Sequence, residues 1–434
     1  MAASGLSASL SAIVWGPFTM ALLAAVGILF SIRFSWFPIR FPGLIFKKTL
    51  GSLFQKSRLG KKQKGGISPF QAFSTALAAT AGVGNIAGVA GAIAAGGPGA
   101  VFWMWVSALF GMSTKYAEIV LASGFRRTLP GGSPSGGPMY YMEDGLGSKA
   151  LAVLFSVSGC VACIGAGSAT QAAELSAGLT VLSDGKISPV IAGAVLAIFV
   201  FAVISGGIRR IGKVASLLVP IMVGGYLLVS LGILAANVKA LPTVFSVIMK
   251  NAFSFRSAGG GLLGYGISRS MSKGVARGIF SNEAGLGTAP IAYAASCEKS
   301  PVEQGFWGIM EVFLDTTVMC TITGLVIVLS GRYETGTTGG PLAAEAYDTF
   351  LAGGGKFVSA SVVLFALMTV VSWEYYGERC LAYLCGESRT AVGVFRFLYA
   401  LSAFAGAAAS ASVFGGIAVL GPIWNLADIC DGMM

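Results

Sequence analysis

One four-residue pattern that suits ligand binding occurs twice in the sequence. Asn-x-Ala-Gly stands at residues 85–88 and again at 282–285, each time among further glycines inside an apolar stretch. Glycine lowers the cost of unwinding a helix, and backbone groups freed inside a membrane must be satisfied by a ligand, an ion or cavity water. Freed N–H groups suit a carboxylate and freed carbonyl groups suit a cation, so two breaks predict a binding site. For either tract alone, tight packing of small residues is the alternative.

Acidic residues inside apolar stretches form a second group of candidates. A carboxylate at the middle of a bilayer costs at least a few kcal/mol, so such residues usually face a cavity or a partner. Glu311 and Asp315 share one helix face, which fits either ion coupling or structural pairing. Glu283 is predicted to support the second break, with cation binding or contact with a substrate ammonium as alternatives. Lys115 and Glu118, at i, i+3 spacing, are predicted to form an ion pair near the inner surface.

Most enzymatic functions are excluded by residue types that the chain lacks. The sequence has no histidine, which removes Ser-His-Asp and Cys-His catalysis and histidine-ligated metals. Its seven cysteines are scattered and form no CxxC pair, so neither a structural zinc site nor a disulfide framework is expected. We therefore predict that the protein is not an enzyme and that it holds no cofactor.

The elements that must position these residues are membrane-spanning helices. With 55% apolar residues, 11% charged residues and a mean hydropathy of +0.79, the chain is too apolar for a soluble domain. A span needs about 20 predominantly apolar residues, and the sequence predicts an all-α polytopic membrane protein. Ten spans are predicted, near residues 12–32, 69–95, 99–123, 150–180, 187–208, 214–236, 272–296, 303–330, 357–385 and 391–423.

The distribution of basic residues sets the predicted orientation. The net charge is +11, but the basic residues lie in short loops between spans, which indicates a positive-inside bias and not nucleic-acid binding. With the N-terminus outside, 20 of the 29 lysines and arginines fall on the inner side. The basic segment 33–67 is predicted either to lie on anionic headgroups or to form a solvated loop. Six basic residues between 237 and 277, Arg277 among them, fall outside against this bias.

Longer motifs carry a resemblance to a known family. The sequence reads Ser-Pro-Phe-Gln-Ala at 68–72, Gly-Asn-Ile-Ala-Gly-Val-Ala at 84–90, Gly-Pro-Gly-Ala-Val-Phe-Trp-Met-Trp at 97–105, Thr-Lys-Tyr-Ala-Glu at 114–118, Phe-Ser-Asn-Glu-Ala-Gly-Leu-Gly at 280–287 and Tyr-Tyr-Gly-Glu-Arg-Cys at 375–380. Through these runs the chain resembles the alanine or glycine:cation symporter family, a group of sodium-coupled carriers within the amino acid-polyamine-organocation superfamily.

The resemblance implies an architecture of two inverted five-helix repeats, like that of the neurotransmitter-sodium symporters, after one extra N-terminal span. The chain would then divide into an N-terminal span with a basic cytoplasmic segment (1–67), a first repeat (68–236), a connecting loop (237–271) and a second repeat (272–434). Because the sequence stops before the last helix of the family pattern, the second repeat is expected to be incomplete.

The resemblance also implies a mid-membrane site between the second and seventh spans. The implied substrate-binding residues are Gly82, Val83, Gly84, Gln171, Ser281, Asn282, Gly285 and Trp373. The implied sodium-binding residues are Ala78, Ala81, Asn85, Thr369 and Ser372, and Asn85 could serve a second ion or the substrate. Glu283, Glu311 and Asp315 are the candidates for coupling, and no metal other than sodium is expected.

The function that the resemblance implies is sodium-coupled symport of a small neutral amino acid by alternating access. Alanine and glycine are the expected substrates, with D-alanine among them, and Na⁺ is the expected coupling ion. The expected location is the cell inner membrane, as a multi-pass protein in contact with lipid, without a nucleic-acid partner and with the oligomeric state left open. A proton-coupled carrier is the first alternative, through Glu311 or Asp315, and a channel is the second.

Overall fold

The structure, a computed structural model, describes residues 16–54, 66–129, 132–253, 265–410, 429–430 and 433–434. Five of its helices are long and apolar enough to cross a bilayer: Lys149–Leu182, Gly207–Ala236, Pro301–Ser330, Gly354–Leu384 and Arg389–Ala409. One further pair, Pro69–Thr80 and Val83–Gly96, meets the same test together and is bent by 58° at a short break. These elements confirm an all-α, multi-pass membrane protein.

The principal helices are numbered here in chain order. They are α1 Pro17–Arg33, α2 Pro69–Thr80, α3 Ala87–Gly96, α4 Ala100–Gly124, α5 Lys149–Leu182, α6 Pro189–Ile204, α7 Gly207–Ala236, α8 Leu241–Ala252, α9 Tyr265–Asn282, α10 Ala289–Ala294, α11 Pro301–Ser330, α12 Gly339–Asp348, α13 Gly354–Leu384 and α14 Arg389–Ala409. Shorter helical turns occupy Phe37–Arg40, Pro42–Lys48, Leu50–Phe54, Val83–Asn85, Pro138–Tyr140, Tyr141–Gly145, Val238–Ala240 and Arg332–Glu334. Strands β1 Arg127–Thr128 and β2 Pro134–Ser135 pair antiparallel.

Helix starts follow local capping chemistry. The Ser68 hydroxyl accepts a hydrogen bond from the Gln71 backbone N–H (3.1 Å), and the Gln71 side-chain oxygen accepts one from the Ser68 N–H (3.0 Å). This reciprocal capping box, with Pro69 at the first helical position, starts α2 where the sequence placed the second span. At the start of α11 one half of this arrangement is present, since the Ser300 hydroxyl accepts from the Glu303 N–H.

Two of the long helices each contain a wide turn with i→i+5 bonding. One covers Cys163–Thr170 within α5, and the other covers Phe313–Cys320 within α11. Turns of this kind interrupt regular α-helical bonding and occur often at functional sites. The first wide turn ends next to Gln171, and the second contains Asp315. The irregular turns of both helices therefore lie near residues that the sequence predicted for the binding site.

Several helical segments depart from the predicted spans. The connecting segment 237–271 contains α8, an amphipathic helix whose Val244, Ile248 and Ala252 are buried at four-residue spacing, and α9 begins at Tyr265. The Trp103 side-chain N–H donates to the Ala252 carbonyl (3.3 Å), which docks α8 on α4. Residues 12–15 of the first predicted span and 411–423 of the tenth lie outside the described residues, as do 55–65 of the basic segment.

The core is built from small side chains that let the helices approach closely. Helix α4 packs between α9 and α11, while α13 packs against α2 and α5. Ala72, Ala76 and Ala78 on α2 are fully buried. In a membrane such small-residue faces give helix pairs their packing energy, because apolar burial against lipid gains little. This packing brings both Asn-x-Ala-Gly motifs against α11, where Asn85 and Asn282 contact Asp315 and Thr316.

Candidate functional site

The first broken helix lies between α2 and α3. The chain leaves α2 at Ala81, makes a single tight turn at Val83–Asn85 and resumes as α3. The Asn85 side-chain oxygen accepts from the Gly82 N–H (3.0 Å), and its amide nitrogen donates to the Asp315 carboxylate (2.7 Å) and carbonyl (3.0 Å). One buried amide therefore holds the break and fastens it to α11.

The second broken helix lies between α9 and α10. Its backbone turns through positive φ at Glu283 (53°), Gly285 (101°) and Gly287 (76°). The Asn282 side-chain oxygen accepts from the Ala284 N–H (3.0 Å), and its amide nitrogen donates to the Thr316 hydroxyl (3.2 Å). The two motif asparagines thus have parallel roles: each oxygen binds an N–H freed by its own break, and each nitrogen binds one of two consecutive residues of α11.

Acidic side chains stabilise the second break from both sides. The Glu118 carboxylate accepts from the Gly287 N–H (3.2 Å), and the Glu283 carboxylate accepts from the Thr288 hydroxyl. The prediction that Lys115 pairs with Glu118 is wrong. The Lys115 ammonium instead lies 3.4 Å from the Glu311 carboxylate, with both side chains fully buried, because helix packing brings α11 closer to it than its i+3 neighbour.

Asp315 joins the two breaks. Besides Asn85 from the first break, its carboxylate accepts from the hydroxyls of Ser281 on α9 (2.9 Å) and Thr316 on α11 (2.7 Å). A fully buried carboxylate needs such donors to offset the loss of its hydration. Ser281 and Asn282, predicted to bind substrate, are therefore placed behind the cavity wall, where their side chains contact α11.

A cavity of about 50 Å³ separates the first break from α9 and the second break. Its lining residues are Ala79, Thr80, Gly82, Val83, Gly84, Ala166, Gln171, Arg277, Phe280, Glu283, Leu286, Thr369 and Trp373. Seven of the sequence-predicted residues are among them: Gly82, Val83, Gly84, Gln171, Glu283, Thr369 and Trp373. The lining leaves out Ser281, Asn282 and Gly285, which belong to the scaffold of the second break.

The Ala78 carbonyl and the Thr369 hydroxyl, predicted together as cation ligands, are adjacent. The Thr369 hydroxyl donates to the Ala78 carbonyl (3.1 Å) and to the Phe365 carbonyl of its own helix (3.0 Å). Ser372 lies one turn further along α13, and its buried hydroxyl has no hydrogen-bond partner among the described residues. Neutral oxygens, one of them lacking a partner, are a donor set that suits a hard monovalent cation. Ala81 is buried beside them at the end of α2.

Arg277 is the main cavity residue that the sequence did not predict. It was counted among the outer basic residues, but α9 begins at Tyr265, so Arg277 lies about three turns inside the helix and lines the cavity. The available signal was its position within the predicted span 272–296, since a charge inside a span usually faces a cavity. Ala79, Ala166, Phe280 and Leu286 were missed because apolar residues carry no such signal.

The chain is similar to known proteins along nearly its whole length. The model of the sodium:alanine symporter family matches residues 2–434. A sodium/alanine symporter of Methanococcus maripaludis is 42% identical over 98% of this chain and 91% of its own length. A Bacillus subtilis protein named provisionally as a sodium/proton-dependent alanine carrier is 37% identical over 98% and 87%, and an amino-acid carrier protein of the same organism is 33% identical over 97% and 85%.

Proposed function

The chain belongs to the sodium:alanine symporter family and is a cation-coupled amino acid transporter, and from that premise we propose that it couples sodium entry to uptake of alanine or glycine. D-alanine falls within the same proposal because it has the same size and charges. Transport proceeds by alternating access in the cell inner membrane. The two broken helices belong to two inverted five-helix repeats, whose opposed halves move around the cavity between them.

The observation that carries the proposal is a small cavity with a charge of each sign on its wall. Arg277 and Glu283 both line it, and they form no ion pair with each other in the part of the chain that the structure describes. An amino acid zwitterion carries the two complementary charges on adjacent groups. A free monovalent ion or an uncharged solute would leave at least one of these side chains without a counter-charge.

Cavity size supports the smallest amino acids. A volume of about 50 Å³ holds roughly three to five water molecules. The Trp373 ring limits the cavity on the α13 side, and it packs so closely on Gly167 of α5 that a side chain there would overlap it. Sodium as the coupling ion is supported by the Thr369, Ala78 and Ser372 oxygens, none of which is ionised.

Proteoliposomes test the proposal directly. We expect labelled alanine to accumulate above its external concentration when sodium is imposed outside, and accumulation to stop when choline replaces sodium. Glycine and D-alanine should compete, whereas glutamine should not. Replacing Trp373 with alanine should admit larger neutral side chains, and Trp105→Ala, which removes a partly buried ring outside the cavity, is the matched control.

Proton coupling is the second candidate, since one relative is named for both ions. Uptake that persists in choline and stops with a protonophore would establish it in place of sodium. The structure gives Glu311 a lysine partner and Asp315 three donor side chains, which favours structural roles for both. Downhill flux without accumulation would instead indicate a channel.

A further inference from the structure

We propose that Arg277 binds the carboxylate of the transported amino acid, an inference that rests on the proposed function and fixes the substrate's orientation. The sequence resemblance implied only the backbone N–H groups near Val83 and Gly84 for this task. A guanidinium adds a full positive charge and a planar pair of donors, the geometry that binds carboxylates through two parallel hydrogen bonds.

The position of Arg277 suits this role. Its guanidinium lies directly against the α-carbons of Gly84 and Gly88, where an added side chain would overlap it. Gly84 belongs to the first break, so the guanidinium and the freed N–H groups of Val83 and Gly84 meet at one end of the cavity. A carboxylate bound at that end would contact both kinds of donor.

Arg277 is half-buried, and within the part of the chain that the structure describes its guanidinium lacks the ion-pair partner that a charge inside a membrane protein normally has. Its Nε has no hydrogen-bond partner among the described residues, and none of the ion pairs formed in that part of the chain includes Arg277. The guanidinium lies over the Phe280 ring, 5.3 Å from Cζ to the ring centroid. Asp315 acts on Arg277 only at longer range, so the position in direct contact with the guanidinium is open to an anion supplied by the ligand.

Nearby acidic residues do not fill that role. Asp315 already accepts hydrogen bonds from Asn85, Ser281 and Thr316. Glu283 lines the cavity, but its carboxylate accepts from the Thr288 hydroxyl within the second break. A zwitterion with its carboxylate at Arg277 therefore points its ammonium toward the acidic end at Glu283.

The test compares alanine with alaninamide, which keeps the ammonium and methyl groups but has no carboxylate. In sodium-driven proteoliposomes, alaninamide and unlabelled alanine each inhibit uptake of labelled alanine with a measurable inhibition constant. The ratio of the alaninamide constant to the alanine constant does not depend on how much protein is active. For the unmodified protein we expect alaninamide to inhibit far more weakly than alanine. Arg277→Gln should reduce that ratio by on the order of ten- to a hundredfold, and Arg277→Lys should give an intermediate value.

A second pair of variants leaves Arg277 in place. Gly88→Ala puts a methyl group where the guanidinium lies and should raise the KM for alanine, whereas Gly91→Ala, on the same helix, meets only the Thr338 hydroxyl at 3.9 Å and should not. A ratio of inhibition constants that stays at the unmodified value in Arg277→Gln would overturn the assignment, and so would a fall in kcat at constant KM, which indicates gating.

These outcomes are separate from a failure of the proposed function. If the unmodified protein shows no sodium-driven accumulation of alanine, the proposed function fails. If it accumulates alanine but Arg277→Gln discriminates against alaninamide as strongly as before, only the assignment of Arg277 fails.

Discussion

The two broken helices share a sequence motif but use it differently. The first break is one tight turn, with no positive φ among its residues, and it borders the cavity through the small residues Gly82, Val83 and Gly84. The second break is longer, passes through three positive φ angles and contributes the cavity side chains Glu283 and Leu286, next to Arg277 and Phe280 of α9.

The hydrogen bonds that hold the two breaks in place also differ. Neutral groups hold the first break internally, through the Asn85 amide and the Gly82 N–H. Buried carboxylates hold the second, through Glu118 on Gly287 and Glu283 on Thr288. The first break therefore offers backbone to a ligand, whereas the second offers charged side chains and needs stronger anchoring. Substitutions confined to one break should separate these two roles.

The largest loss of stability is expected from breaking the buried Lys115–Glu311 ion pair, which is connected to both breaks. The Glu311 carboxylate accepts from the Thr80 hydroxyl at the end of α2 (3.4 Å) and pairs with Lys115, one turn before Glu118. Lys115→Met leaves that buried carboxylate without its counter-charge. We expect it to lower the free energy of unfolding by about 3–5 kcal/mol, measured by equilibrium unfolding in lipid–detergent micelles.

The double variant Lys115→Met/Glu311→Gln is the control for that prediction. It removes both charges, so most of the lost stability should return. A double variant as unstable as the single one would show that packing, and not the unpaired charge, causes the loss.

A smaller effect should distinguish the backbone of the two breaks. Gly287→Ala forces a side chain into φ +76° and against Pro138, and should cost about 3 kcal/mol. Gly82→Ala keeps an ordinary extended conformation (φ −130°, ψ −160°) and approaches only the Thr369 hydroxyl, so it should cost less stability and weaken sodium dependence.

Gly331→Ala isolates the conformational part of the Gly287 effect. Gly331 has φ +70° with nothing near its added methyl group, so we expect a loss of about 1 kcal/mol. Thermal unfolding of all three variants in one detergent provides the comparison, and equal losses in Gly82→Ala and Gly287→Ala would contradict the difference described between the breaks.

The motif asparagines should differ by the charge of their partners. Asn85→Ala removes a hydrogen bond to a carboxylate and should cost about 2 kcal/mol, whereas Asn282→Ala removes one to a hydroxyl and should cost about 1 kcal/mol. Unfolding measurements give both values. Sodium titration of alanine uptake adds a second readout, in which only Asn85→Ala should need more sodium; equal shifts in both variants would refute the predicted ion role of Asn85.

The smallest effect concerns the cation ligands on α13. Thr369→Ala removes the hydroxyl beside the Ala78 carbonyl and should raise the half-saturating sodium concentration by about tenfold, with little change in stability. Thr369→Ser keeps the hydroxyl and should behave like the unmodified protein. An unchanged sodium requirement in Thr369→Ala would show that this hydroxyl does not bind the ion.

The sequence was sufficient for features that depend on short-range chemistry. The doubled Asn-x-Ala-Gly motif predicted both breaks, and the capping residues around Ser68 marked where α2 starts. The family resemblance is confirmed over nearly the whole chain. The proposed ligand roles of residues such as Gln171 and Thr369 stay predictions, although the structure brings those two into one cavity.

Features that depend on packing between distant helices could not be predicted. Lys115 pairs with Glu311, far along the chain, because α4 and α11 pack closely, a fact that local spacing does not contain. Arg277 was counted on the outer side, although it lies within the predicted span 272–296, because positive-inside counting treats a charge near the end of a span as external. Helix α8 was missed because its apolar residues cover one face only, too few for a span.

The wide turns within α5 and α11 have a consequence for how insertions and deletions act on this protein. An i→i+5 turn accommodates one more residue than an i→i+4 turn, so removing one residue from 163–170 would let α5 continue as a regular helix. The part that begins at Gln171 would keep its orientation, because the wide turn already absorbs the extra residue without rotating the helix beyond it. A deletion in the regular helix before residue 163 would instead rotate the later part of α5 by about 100° and turn Gln171 away from the cavity, so a deletion scan would identify the wide turn as the place that tolerates the loss of one residue.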